Sequence, residues 1–163
     1  MARISRKRKN HPTNEAASRI WKTALYVRLS VEDNGKDADS IENQIALLES
    51  YVSGCPDLSK AGLFIDNGYT GTNFNRPEFN RMMEDIKSGK DGVSFVLVFK
   101  LSRFGRNAAD VLSTLQVMQD FGVNLICVED GIDSSKDAGK LMISVLSAVA
   151  EIERENIRVQ TME

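Results

Sequence analysis

Histidine is nearly absent from this 163-residue chain: the one present, His11, lies in a basic N-terminal stretch outside every predicted element. A Ser-His-Asp hydrolase needs an imidazole beside its nucleophile, so that class is excluded. Two cysteines, Cys55 and Cys127, give neither metal-ligand spacing nor a disulfide framework. Cys127, in the run VNLICV, reads as a small buried hydrophobe, and a reducing cytoplasm is the expected compartment. No apolar run approaches the roughly 20 residues that cross a membrane. The start, MARISRKRKN, has no apolar stretch behind it that would make a secretory signal. Also missing are a Walker A loop, a G-x-S-x-G elbow and a G-x-G-x-x-G fingerprint.

The net charge of −2 hides an asymmetry. Residues 1–22 carry seven Lys/Arg against one acid, Glu15, which leaves a net charge of −8 on residues 23–163. The basic stretch reads equally well as an arm for a phosphate-bearing partner and as a disordered, solvated tail. The acidic body by itself argues mildly against non-specific binding to nucleic acid.

Strand-like apolar runs alternate with helix-like periodic segments. TALYVRL (23–29) predicts a strand. Asp39 or Ser40 caps a helix in which Ile41, Ile45, Leu48 and Val52 recur at helical spacing. GLFID (62–66) is a short second strand, followed by the loop NGYTGTNFN. Pro77 suits the first turn of a helix with Phe79, Met82, Met83 and Ile86 on one face and Gly89 as its stop. VSFVLVF (93–99) is nearly continuous in apolar residues, as in a strand buried on both faces. Asn107 caps a helix that turns Val111, Leu115 and Met118 inward and stops at Gly122; VNLICV (123–128) is the fourth strand. From about Ala138 a helix runs to the last residues, with Met142, Val145, Val149, Ile152, Asn156 and Val159 in three- and four-residue steps and Leu141, Leu146 and Ala148 in a second stripe. The expected fold is α/β: a three-layer sandwich around a mostly parallel sheet of four to five strands, with a long C-terminal helix.

Ligands of open parallel sheets collect at the carboxyl ends of the strands. There the first strand brings Tyr26, Arg28 and Ser30, which alternation puts on one side, and the second brings Asp66. Arg76 precedes the second helix, and Arg103 and Arg106 follow the third strand in KLSRFGRN (100–107). Taken singly, a serine after a strand is usually a turn residue, and loop arginines usually form weak surface ion pairs. Together, one hydroxyl and up to four guanidiniums at one sheet edge suit phosphoryl transfer. Planar, permanent charges match phosphate oxygens and stabilise a pentacoordinate transition state.

The segments YVRLS (26–30), SIENQ (40–44), DNGYTGTNFNRPEF (66–79), KLSRFGRN (100–107) and GKLMISVLSAVAEIERENI (139–157), in that order, resemble the resolvase/invertase family of serine recombinases over essentially all of 23–160. The GYTGTNFNRP loop, the insert VEDNGKDAD (31–39) and SRFGR look closest to the large serine recombinases of phages and mobile elements. The resemblance implies that Ser30 is the nucleophile and that Arg28, Arg103 and Arg106 bind and activate the scissile phosphate. It makes Arg76 a further phosphate ligand, Gln44, Asp66 and Tyr26 polar supports, and Glu153 and Arg154 a pair near the site and subunit interface. One position departs from the pattern: many small resolvases carry Asp where this chain has Ser102, which puts any proton-transfer role there in doubt.

The implied function is site-specific DNA recombination, integrating or excising a mobile element, by transesterification through a 5′-phosphoserine. Neither cofactor nor metal is implied. The implied partners are double-stranded DNA and further copies of the chain, a homodimer at each site and a tetramer in synapsis, with no membrane. The expected division is an arm (1–22), a catalytic core (23–137) and an interface helix (138–163) cut before the family's DNA-binding domains. The competing readings are a non-enzymatic phosphate- or nucleotide-binding α/β regulatory module, which would give no covalent adduct, and a phosphatase or nuclease, which would give free ends.

Overall fold

The computed structural model describes residues 19–29, 40–67 and 76–162, without the side chains of Ala138 and of residues 160–162. The expected arm up to residue 18, the insert 31–39 and the loop 68–75 lie outside the described residues. Five strands form one sheet in the order β2-β1-β3-β4-β5: β1 (Trp21–Arg28), β2 (Leu58–Asp66), β3 (Val93–Val98), β4 (Asn124–Cys127) and β5 (Ile132–Asp133). The first four are parallel; β5 runs antiparallel to β4. The helices are α1 (Ile41–Gly54), α2 (Pro77–Ser88), α3 (Leu101–Phe104), α4 (Ala108–Asp120) and α5 (Asp137–Met162).

The central strands read as unbroken apolar runs because both of their faces are covered. Ala24 and Tyr26 of β1, with Val96 and Val98 of β3, pack with Met82 of α2, Leu115 of α4 and Leu146 and Ala150 of α5. Leu25, Val27 and Leu97 point the other way, onto Leu48 and Val52 of α1. The result is the expected three-layer sandwich, with α1 on one side and α2, α4 and α5 on the other. Local signals place the helix ends. Ser40 Oγ accepts from Asn43 N at 3.2 Å, and Asn107 Oδ1 accepts from Asp110 N at 2.8 Å. Pro77 opens α2, and Gly89, left-handed at φ 74°, closes it. Gly105 is needed for space, not for its φ: a Cβ there would stand 2.5 Å from Val111 Cγ2.

Several elements depart from the sequence reading. β1 starts at Trp21, two residues inside the expected arm, where its N–H donates to Asp57 O at 2.7 Å and its ring meets Phe95 edge-on. β2 begins at Leu58, not at Gly62; as an edge strand its first half keeps polar residues and carries no apolar signal. β5, of two residues, and α3, of one turn, are too short to leave a periodicity. In α5 the row toward the core holds Ile143, Leu146 and Ala150, so Leu146 does not share an outer stripe with Leu141 and Ala148. Leu141, Val145, Val149, Ile152, Ile157 and Val159 are all exposed. Among the described residues no helix is long and apolar enough to cross a membrane.

Candidate active site

Because β1 to β4 are parallel, their carboxyl ends share one edge, and β1 pairs there with β2 so that Arg28 lies beside Asp66. Asp66 is 3% exposed and accepts three hydrogen bonds: Tyr26 Oη donates to Oδ2 at 2.9 Å, Phe79 N to Oδ2 at 3.0 Å and Glu78 N to Oδ1 at 3.0 Å. Glu78 and Phe79 are the second and third residues of α2, whose own N-cap, Arg76, makes no side-chain cap. Asp66 therefore caps α2 from β2, placing a carboxylate at the positive end of the helix dipole. Burial, then the Asp66 carboxylate, pushes the Tyr26 phenol far above its ordinary value, against a smaller opposing pull from Arg76 and Arg28. Tyr26 is a neutral hydrogen-bond donor to Asp66 here.

Arg28 is held on three sides. Its carbonyl accepts from Nε2 of the fully buried Gln44 of α1 at 3.1 Å. The next residue, Leu29, donates its N–H to Asp66 O at 3.2 Å. Its guanidinium donates to the carbonyls of Ser102 and, at 3.3 Å from Nε, Arg103. Arg76, 7% exposed, donates to the next carbonyl, that of Phe104, and its guanidinium stacks 3.7 Å from the Phe79 ring centroid. The last three carbonyls of α3, which have no partner within so short a helix, are thus met by two guanidiniums from other elements. At its other end, Leu101 N donates to Asp130 Oδ2 at 2.8 Å. Arg103 projects from α3 and is 2% exposed.

Arg106 lies beyond α3 and is exposed, unlike Arg103. Its N–H donates to Asp110 Oδ2 at 3.1 Å, and the same oxygen lies 3.4 Å from Arg76 Nη2. Glu153 reaches from α5 to the start of α4, accepting from Ala108 N at 3.3 Å, whereas Arg154 is exposed and pairs with Glu151 at 3.0 Å. The structure thus gathers Tyr26, Arg28, Gln44, Asp66, Arg76 and Arg103 around one strand edge, sets Arg106 and Glu153 at the neighbouring α4 terminus, and leaves Arg154 outside this network. Ser30, the expected nucleophile, lies outside the described residues, one position past Leu29.

Sequence reasoning missed two residues. Asp110 looks like an ordinary acid in the first turn of a helix, and Asp130 like a turn residue; their partners are remote or belong to main chain. Among the described residues no group of three or more His, Cys, Asp or Glu is placed to hold a metal ion. Burial pushes the Cys127 thiol up to about 12, in keeping with an inert core residue.

Residues 23–163 match the family described as "Resolvase, N terminal domain". Serine recombinase PinR of Escherichia coli (strain K12) is 38% identical over 153 residues, covering 88% of this chain and 67% of its own length. A resolvase family site-specific recombinase from Streptococcus pneumoniae is 64% identical in its crystal structure, with a TM-score of 0.76 over 87% of this chain and 93% of that one. The N-terminal catalytic domain of TP901-1 integrase is 31% identical with a TM-score of 0.69, over 82% and 97% of the two chains. This chain spans 67% of PinR and 42% and 62% of two further curated relatives. The chain belongs to the resolvase family of serine recombinases.

Proposed function

We propose that this chain is the catalytic part of an enzyme that cuts and rejoins double-stranded DNA at defined sites, integrating or excising a mobile element. Ser30 Oγ attacks the phosphorus of a scissile phosphodiester; the 3′-hydroxyl leaves and the 5′-phosphate stays on the serine. The freed hydroxyl of a recombining strand then attacks the phosphoserine and expels Ser30. One P–O bond forms as one breaks in each step, so no bond energy is lost to water.

The observation that carries this reading is the convergence of Arg28, Arg76 and Arg103 on one four-residue helix at the edge where β1 leads into Ser30. Guanidiniums held in a largely buried network match a phosphodiester and spread the charge of its pentacoordinate transition state. In this reading Arg28, Arg103 and Arg106 bind the phosphate, with Arg76 as a further ligand. Gln44 and Asp66 fix the backbone ahead of Ser30, and Tyr26 fixes Asp66. Glu153 ties α5 to the start of α4 beside the site, and Arg154, exposed on α5, faces a partner copy. The exposed apolar row of α5 supports assembly as a dimer on each DNA site and a tetramer in synapsis, and the cytoplasm is the proposed compartment.

The test is to incubate the full-length protein with sheared genomic DNA of its source organism, denature, and capture DNA that stays bound through protein. A covalent adduct with free 3′-hydroxyls is expected, and sequencing the attached DNA gives the site. Cut DNA with two free ends and no adduct would mean a hydrolase and refute the proposal.

A further inference from the structure

The short helix α3 cannot hold itself in place. One turn of helix fixes several backbone dihedrals for a single internal hydrogen bond, so in isolation it does not form. Its N-cap residue, Lys100, supplies no side-chain cap. What holds its first turn is the carboxylate of Asp130, 2.8 Å from Leu101 N. Asp130 is itself well anchored. The pairing of β3 with β4 continues past both strand ends through Val128 N to Val98 O at 3.0 Å and Glu129 N to Phe99 O at 2.8 Å. Gly131, left-handed at φ 65°, then turns the chain into β5. Asp130 is therefore a fixed point at the end of the sheet. With Arg28 and Arg76 on the carbonyls at the other end, α3 is slung between an anion at its N-terminus and cations at its C-terminus, the arrangement that its dipole favours.

We propose that Asp130 is a positioning residue for DNA cleavage, acting through the Leu101 amide to hold α3 and the Arg103 it carries in register with the strand edge. This rests on the reading of Arg103 as a phosphate ligand. Asp130 is exposed, so removing its side chain opens no cavity and leaves the core intact. With the first turn released, Arg103 shifts while α3 stays attached at its C-terminal end, and displacements near an ångström at such a site cost large factors in rate.

The test uses the full-length protein and a duplex carrying the site recovered by adduct capture. At saturating protein, Asp130→Ala should slow adduct formation by roughly ten- to a hundredfold, with DNA affinity and melting temperature nearly those of the parent. Asp130→Asn keeps an acceptor oxygen for Leu101 N and should restore most of the rate. Independently of DNA, amide hydrogen exchange at Leu101 should accelerate in Asp130→Ala and not in Asp130→Asn. The proposal is overturned by a parental cleavage rate in Asp130→Ala, by an Asn variant as slow as the Ala variant, by a melting temperature that falls in step with the rate, or by unchanged exchange at Leu101. Failure of the unmodified protein to form an adduct would instead sink the reaction assigned above, while the exchange measurement would still decide whether Asp130 tethers α3.

Discussion

Replacing Asp66 with alanine should be among the most destabilising single changes at the strand edge. The side chain is 3% exposed and accepts from Tyr26 Oη at 2.9 Å and from Glu78 N and Phe79 N at 3.0 Å each. Hydrogen bonds to a charged acceptor contribute about 1.5–3 kcal/mol each, and losing a helix cap about 1 kcal/mol. Bonds to one group are not additive, so about 3–4 kcal/mol is expected for Asp66→Ala, part of it the cost of stranding the Tyr26 hydroxyl in the core. For a chain of this size the melting temperature should fall by on the order of 10 °C. Tyr26→Phe, which removes one donor and leaves the cap intact, should cost about 1 kcal/mol, and the double variant should be no less stable than Asp66→Ala alone. Urea unfolding followed by circular dichroism measures all three. A loss below about 1 kcal/mol for Asp66→Ala would refute the assignment of Asp66 as the cap of α2.

Lysine keeps the charge of an arginine and loses its planar fork, so Arg103→Lys and Arg106→Lys should each slow adduct formation by roughly ten- to a thousandfold, about 1.4–4 kcal/mol of barrier; near-parental rates in both would remove phosphate clamping from their role. On α5, Val149 and Ile152 are 40% and 58% exposed, so Val149→Glu with Ile152→Glu should leave the monomer folded and abolish self-association in sedimentation; an unfolded monomer would move the interface elsewhere. Stability should decline at alkaline pH. The Cys127 thiol is raised to about 12 when folded, against about 8.5 in an unfolded chain, so the unfolded state loses its proton first. The stabilisation is complete below about pH 8.5 and is lost as pH rises toward 12, with Tyr26 adding to the same trend from about pH 10. Cys127→Ala should flatten the first part of that decline in denaturation measured at stepped pH; an unchanged slope would contradict it.

What could be read from the sequence was local. Ser40, Pro77, Gly89 and Asn107 mark helix ends through bonds to residues at most a few positions away, and β3 announces itself because both of its faces are covered. The first half of β2 carries no such mark, since an edge strand need not be apolar on both sides. One turn of helix has no period to detect, and α3 exists because Asp130, Arg28 and Arg76 reach it from positions 29, 74 and 28 residues away. The same distance hides the work of Asp66, recognisable as a site residue by resemblance but not as the cap of a helix that starts after the 68–75 loop. On α5 the three- and four-residue steps join Val145, Val149 and Ile152, which are exposed, to Met142, which packs on the core, and Leu146 goes inward with Ile143 and Ala150, because a helix lying on a sheet buries one row and exposes the next.

In the proposed reaction Ser30 carries the DNA during recombination. Adduct captured from the full-length protein, digested with nuclease and protease and read by mass spectrometry, should show a nucleotide 5′-phosphate attached to Ser30 in the peptide that follows Arg28, and Ser30→Ala should form no adduct while still binding the recovered site. A phosphate on any other residue, or adduct formed by Ser30→Ala, would show that Ser30 is not the nucleophile.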